Sequence, residues 1–203
     1  MPKAGGVAES LAVRARAVDR YLQRMEHLLD KGDLLKRDVE RAYGGGLLEF
    51  HAFLERSIEK LFVGLLRNRL IHSSARVRPL VAVQSDVVAH KIIIGERRYA
   101  DWLPFQRLTM KRAEAFFASG LPFCNLETVD HEAFDALSTI RNALAHQSAI
   151  AIHQFEKRFI EGKLIPPAQH RPVAYLRGTH TVGQSRMNYL LSRAVVSMNK
   201  LCG

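Results

Sequence analysis

The stretch FDALSTIRNALAHQS, residues 134–148, holds three side chains with complementary chemistry: Arg141, Asn142 and His146. Histidine is the side chain that gives and takes protons near neutral pH. Arginine offers a fixed fork of donors for a phosphate that is gaining charge. Asparagine can orient an imidazole or bind a phosphate oxygen. Together they are parts for metal-free RNA cleavage, in which the ribose 2′-hydroxyl attacks its own phosphodiester. His146 lies one helical turn from Asn142, so the two can touch. A hydrogen-bonded helix histidine beside a solvated arginine is the plainer alternative for the same spacing.

Projected at about 100° per residue, Ala133, Leu137, Ile140, Leu144 and Ala151 gather on one side, the expected core face. Asp135, Ser138, Thr139, Asn142 and His146 gather on the other. A solvent face would carry Lys and Glu; short polar groups suit close packing against another subunit or a ligand. This helix is expected over 130–159, with Thr128 or Asp130 as N-cap. A second periodic helix is expected over 47–68. Leu47, Phe50, Leu54, Ile58, Leu61 and Leu65 form its stripe, and Glu49, Arg56, Lys60 and Arg67 its solvated side. Glu55 sits on the shoulder of that stripe, where a partly buried carboxylate needs a cation; Arg141 is the candidate. His51, on the same inner face, reads as a satisfied core or interface histidine. Further helices are expected over 8–30, 34–43, 104–119 and 184–201. Gly44, Gly45 and Gly46 suggest a bend before 47. Residues 71–103, with PLVAV and VVAHKIII, suggest a β-hairpin or irregular insertion. The RPVAYLRG stretch reads as a loop, and Trp102, Phe105, Phe116 and Phe117 as core. The fold class is all-α, a single domain of about five main helices spanning residues 1–203.

The 203 residues carry 30 Lys and Arg against 20 Asp and Glu, a formal net charge of +10. Such a surplus points to polyanions, RNA first, or serves solubility alone. The excess is clustered: 67–112 is rich in Lys and Arg, and no acid follows Gly162. Hydrophobic content of 47% argues against disorder. The two cysteines, Cys124 and Cys202, are far apart and form no metal-ligand spacing, which fits a reducing, cytoplasmic setting. The N-terminus has no apolar signal core, and no run approaches the ~18 apolar residues of a membrane span. No cofactor or metal is expected.

RNALAH, Arg141 to His146, resembles the R-x4-H signature of the HEPN superfamily of α-helical ribonucleases, in its form R-N-x-x-x-H. LLEFHAFLERSIEKLFVGLL, residues 47–66, resembles the second helix of that family, which carries an acidic residue in its apolar face. RPVAYLRG followed by a helix is similar to the prokaryotic branch called RiboL-PSP-HEPN. The resemblance implies a homodimer in which two motifs face one cleft. It implies His146 as acid/base, Arg141 as phosphate and transition-state stabiliser, and Asn142 as polar support. Glu55 matches the acidic position, either as a structural ion pair or with a direct catalytic role. The implied activity is metal-independent endonucleolytic cleavage of single-stranded RNA, leaving 2′,3′-cyclic phosphate ends. Such proteins serve as toxins or phage-defence effectors, held in check by an antitoxin or regulatory protein. The alternative within the resemblance is a non-catalytic scaffold that binds RNA or protein through the same cleft. A charge-driven DNA- or membrane-binding helical protein is the reading outside it, and no recognition-helix signature supports that one.

Overall fold

The computed structural model describes residues 1–95 and 100–203, and within them the chain is mostly helical. The helices are α1 (Gly5–Asp30), α2 (Lys36–Leu66), α3 (Asp86–Ile94), α4 (Lys111–Phe116), α5 (Thr128–His146), α6 (Ala149–Phe159), α7 (Pro172–Arg177) and α8 (Arg186–Cys202). Five of these exceed ten residues and three are short. The described strands are two, β1 (Thr179–Thr181) and β2 (Gln184–Ser185), paired antiparallel. The chain divides into two compact units. One comprises Met1–Val13, Phe53–Asp135 and Ala194–Gly203; the other comprises Arg14–Ala52 and Ala136–Arg193.

The first unit is built on an aromatic cluster. Phe62 lies 5.0 Å from Trp102, 4.9 Å from Phe117 and 5.1 Å from Phe123, centroid to centroid. These rings are buried, and burial of each contributes on the order of 2 kcal/mol. Asp130 is fully buried here. It accepts from Ser197 Oγ and Lys200 Nζ, each at 2.8 Å. Burial pushes the Asp130 carboxyl up, but Lys200 and Ser197 outweigh it and hold it below its ordinary value.

Two expectations for this unit are corrected. The stretch VVAHKIII is helical, within α3, rather than a hairpin strand. Ser85 caps α3, its hydroxyl accepting from Val88 N at 3.2 Å, and Gly95, at φ +61, ends it. Ala89 and Ile93, four apart, are its buried face, so capping and a tertiary contact override the β-branched composition. Residues 96–99 of the expected 71–103 insertion lie outside the described residues. The helix expected over 104–119 is a wide π turn, Gln106–Met110, running into the short α4. Phe117 is already extended and pairs with Pro79.

The second unit corrects the rest. α2 is continuous through Gly44–Gly46. A Cβ on Gly46 would lie 3.1 Å from the Val18 side chain of α1, and one on Gly44 3.3 Å from Val173. Close packing repays the helix cost of those glycines. The RPVAYLRG stretch is α7 rather than a loop. It is fastened by Arg171 to Glu40 at 2.9 Å and by a bidentate Arg177–Glu26 pair at 2.9 and 2.8 Å. Arg186 donates to Gln169 Oε1 at 2.7 Å and lies 4.5 Å over the Tyr175 ring. A Cβ on Gly178 would lie 2.1 Å from the Arg186 guanidinium and 2.3 Å from Gln169 Oε1, so a larger residue would have to displace the ends of both side chains. Phe155, Phe159 and Tyr175 close the core of this unit, with centroids 5.1–5.6 Å apart.

Candidate functional site

The helix expected over 130–159 is two helices, and the corner between them frames the motif. α5 ends at His146, and Gln147 then adopts the left-handed conformation, φ 46. Ser148 caps α6, its hydroxyl accepting from Ala151 N at 3.2 Å. A non-glycine residue with φ in this region is uncommon and costs of order 1 kcal/mol. The chain accepts that cost to turn α6 away from the axis of α5. His153 therefore does not continue the His146 stripe on a straight helix.

Arg141, Asn142 and His146 come together in the last turns of α5. Arg141 Nη1 donates to Asn142 Oδ1 at 2.9 Å and lies 3.5 Å from His146 Nε2. A guanidinium can only donate, so the Nε2 that meets it presents its lone pair. Arg141 and Asn142 are half-buried and His146 is exposed. The cation is thus held against its helix while the imidazole reaches solvent. Ala143 and Ile140 are buried beneath them, whereas Leu144, expected in the core, is half-buried.

The other residues of the expected polar face are used inside the fold. Ser138 is buried. Asp135 Oδ1 accepts from Phe105 N at 2.8 Å. Thr139 Oγ1 accepts from Arg158 Nη1 at 3.1 Å, joining α6 to α5. Glu55 belongs to the unit centred on Phe62, is half-buried, and accepts from Trp102 N at 3.3 Å.

Two residues near the motif gain importance from the structure. His51 is buried on α2, and burial together with the charge of Arg141 drives its pKa down to about 4. A neutral imidazole is therefore packed close enough to Arg141 to feel its field. Arg158 reaches the motif-bearing face of α5 from α6. The signal for it was the Gln147–Ser148 pair, since Ser148 three residues before Ala151 is an N-cap pattern that ends one helix and starts another.

Among the described residues no group of three or more His, Cys, Asp and Glu side chains is placed to hold a metal ion. No helix among them is long and apolar enough to cross a membrane. No protein-family model, curated protein or solved structure matches the chain, and its functional reading rests on its own residues.

Proposed function

We propose that this chain is a metal-independent endoribonuclease of the HEPN type, acting on single-stranded RNA. The observation that carries the reading is the Arg141–Asn142–His146 cluster, with a phosphate-binding fork held beside an exposed imidazole. In the proposed reaction the 2′-oxygen forms a bond to phosphorus as its proton passes to a neutral His146. The bond from phosphorus to the 5′-oxygen breaks, and that oxygen takes a proton from the second, protonated His146 of a homodimer. The products are a 2′,3′-cyclic phosphate and a 5′-hydroxyl. Arg141 balances the charge that develops on the phosphate oxygens. Asn142 fixes the guanidinium through its 2.9 Å bond, which removes rotamer freedom from a long side chain. A cytoplasmic toxin or defence role, under control of a partner protein, belongs to the same proposal.

The test is cleavage of an unstructured oligoribonucleotide in EDTA, with the new ends analysed chemically. His146→Ala and Arg141→Ala are each expected to lower the rate at least about 100-fold while leaving the unfolding midpoint in place. Full activity in both variants overturns the reading. RNA binding without cleavage by the wild type would assign the chain as a scaffold.

A further inference from the structure

We propose that the cavity bounded by α2, α3 and the turn after α2 binds a small organic anion, an apolar body of a few rings bearing one charged group that Lys60 meets. The site stands independently of the ribonuclease reading, and all of its residues belong to the unit centred on Phe62.

Glu59, Lys60, Val63 and Gly64 share one face of α2. On a free helix that face would be solvated. Here α3 and the turn enclose with it a cavity of about 480 Å³. That volume is within the range of small-molecule sites and about three times the volume that admits one benzene. Its apolar surface comes from Pro2, Val63 and Leu70.

The walls are held in place by the fold itself. Asn68, at φ 51, turns the chain back at the end of α2, and Gly64 O accepts from Arg69 N at 2.7 Å and from Leu70 N at 3.1 Å. A Cβ on Gly64 would lie 2.5 Å from Leu70 Cδ1, so the glycine lets the Leu70 side chain lie against the helix. Ile71 N donates to Pro2 O at 3.1 Å, which sets Pro2 beside the turn. α3 is tied to α2 by His90, whose Nε2 meets Glu59 Oε1 at 2.6 Å. Arg67 donates to Asp86 and to Gln84 O and ties it a second time. A site built this way pays little ordering entropy when a ligand enters.

Charge selects the ligand. The acids of the wall are Glu59 and Asp86. Glu59 is engaged by His90, and Asp86 by Arg67 and Arg69. Lys60 lines the cavity, is exposed, and pairs with no acid among the described residues. An ammonium beside apolar surface favours a ligand in which charge and apolar body are joined. A bare inorganic anion would gain nothing from Val63 and Leu70, and a neutral ring nothing from Lys60.

The probe is anilinonaphthalene sulfonate, whose rings fluoresce in apolar surroundings and whose sulfonate is the single charge. Phenylnaphthylamine has the same rings without the sulfonate. Titration of the folded protein with the sulfonate is expected to saturate at one dye per chain. Lys60→Gln is expected to weaken the sulfonate about fivefold and to leave the neutral dye unchanged. Leu70→Asn, of similar volume, is expected to weaken both dyes about fivefold. Neither variant is expected to change RNA cleavage, so failure of this site and failure of the ribonuclease reading show separately. No saturable binding of the sulfonate by the folded wild type overturns the proposal. Parental affinity for the sulfonate in a folded Lys60→Gln protein overturns it, as does equal weakening of both dyes there. Parental binding of both dyes by a folded Leu70→Asn protein places them elsewhere and overturns it as well. Should Leu70→Asn unfold, the two dyes on Lys60→Gln decide. Displacement of the sulfonate by unstructured RNA would assign the cavity to RNA and overturn it as a small-molecule site.

Discussion

Arg141 stands between an exposed histidine and a buried one, and the two answer to it differently. His146 meets it through Nε2 at 3.5 Å, while His51 is enclosed on α2 and kept neutral, its pKa about 4 against an ordinary 6.5. Because the folded value is the lower one, the unfolded chain takes up this proton first as pH falls. The stability held by a neutral His51 is complete above about pH 6.5 and is lost between there and pH 4. The full loss is about 3 kcal/mol, of which about 2 is gone by pH 5. His51→Gln is therefore expected to lose about 2 kcal/mol less than the wild type when urea unfolding is compared at pH 7 and pH 5. Equal losses in the two proteins would remove His51 as the cause. The motif residues themselves were readable from composition and spacing, because an Arg, an Asn and a His on one helix turn have few places to go. His51 beside Arg141 was not readable, since that nearness depends on how α2 and α5 pack. The fate of Glu55 was equally hidden. Nothing in its own helix announces that the Trp102 amide will donate to it.

The long helices follow from apolar periodicity, and the expectations that failed did so where a local rule met packing. Gly44–Gly46 reads as a break by propensity, yet α2 runs through it because Val18 and Val173 need the room. VVAHKIII reads as strand by composition, yet Ser85 and Gly95 cap it as α3. The span 130–159 reads as one helix because Ser148 fits the pattern as one more polar residue, yet it caps α6 and divides the span into α5 and α6. The three glycines are not equivalent, and that yields a prediction. Gly45 is exposed in a helix interior, and a Cβ there would meet nothing within 4 Å. Gly45→Ala is expected to stabilise by about 1 kcal/mol, raising the melting temperature by about 3 °C. Gly46→Ala gains the same propensity but presses on Val18 at 3.1 Å, and is expected to give no net gain or a loss. Calorimetry of the two variants checks this. Equal stabilisation by both would mean that α1 yields freely at Val18, and that packing is not what the glycine serves.

At the scale of the whole chain the net charge of +10 invites a reading as an RNA footprint, and the ion pairs divide that charge into two kinds. The acid-free stretch after Gly162 is one of the two places where the charge is clustered in sequence, but many of its cations are engaged within the fold. Arg171 meets Glu40, Arg177 meets Glu26, and Lys200 meets Glu127 and Asp130. In the 67–112 stretch Arg67 and Arg69 both converge on Asp86. Arg171, Arg177 and Lys200 are surplus in their own segment only because their acids lie elsewhere in sequence. Glu26 shows what the arrangement is for. Burial pushes its carboxyl up, but the hydrogen bonds of Arg177 and Tyr43 and the charge of Arg177 hold it below its ordinary value. The fold thus draws stability from Glu26 above the ordinary carboxylate range and loses it as pH falls through the depressed value. Arg177→Gln removes the bidentate partner from a half-buried carboxylate. It is expected to cost about 2 kcal/mol and lower the melting temperature by about 5 °C. Arg171→Gln strips a buried Glu40 of its cation and is expected to destabilise in the same direction. Neither variant is expected to change the salt dependence of RNA binding by a His146→Ala protein, in which the probe stays whole. A folded Arg177→Gln protein with a shallower salt slope would put this arginine on the RNA. The division between cations that hold the fold and cations that meet the ligand would then fail at its best-defined pair.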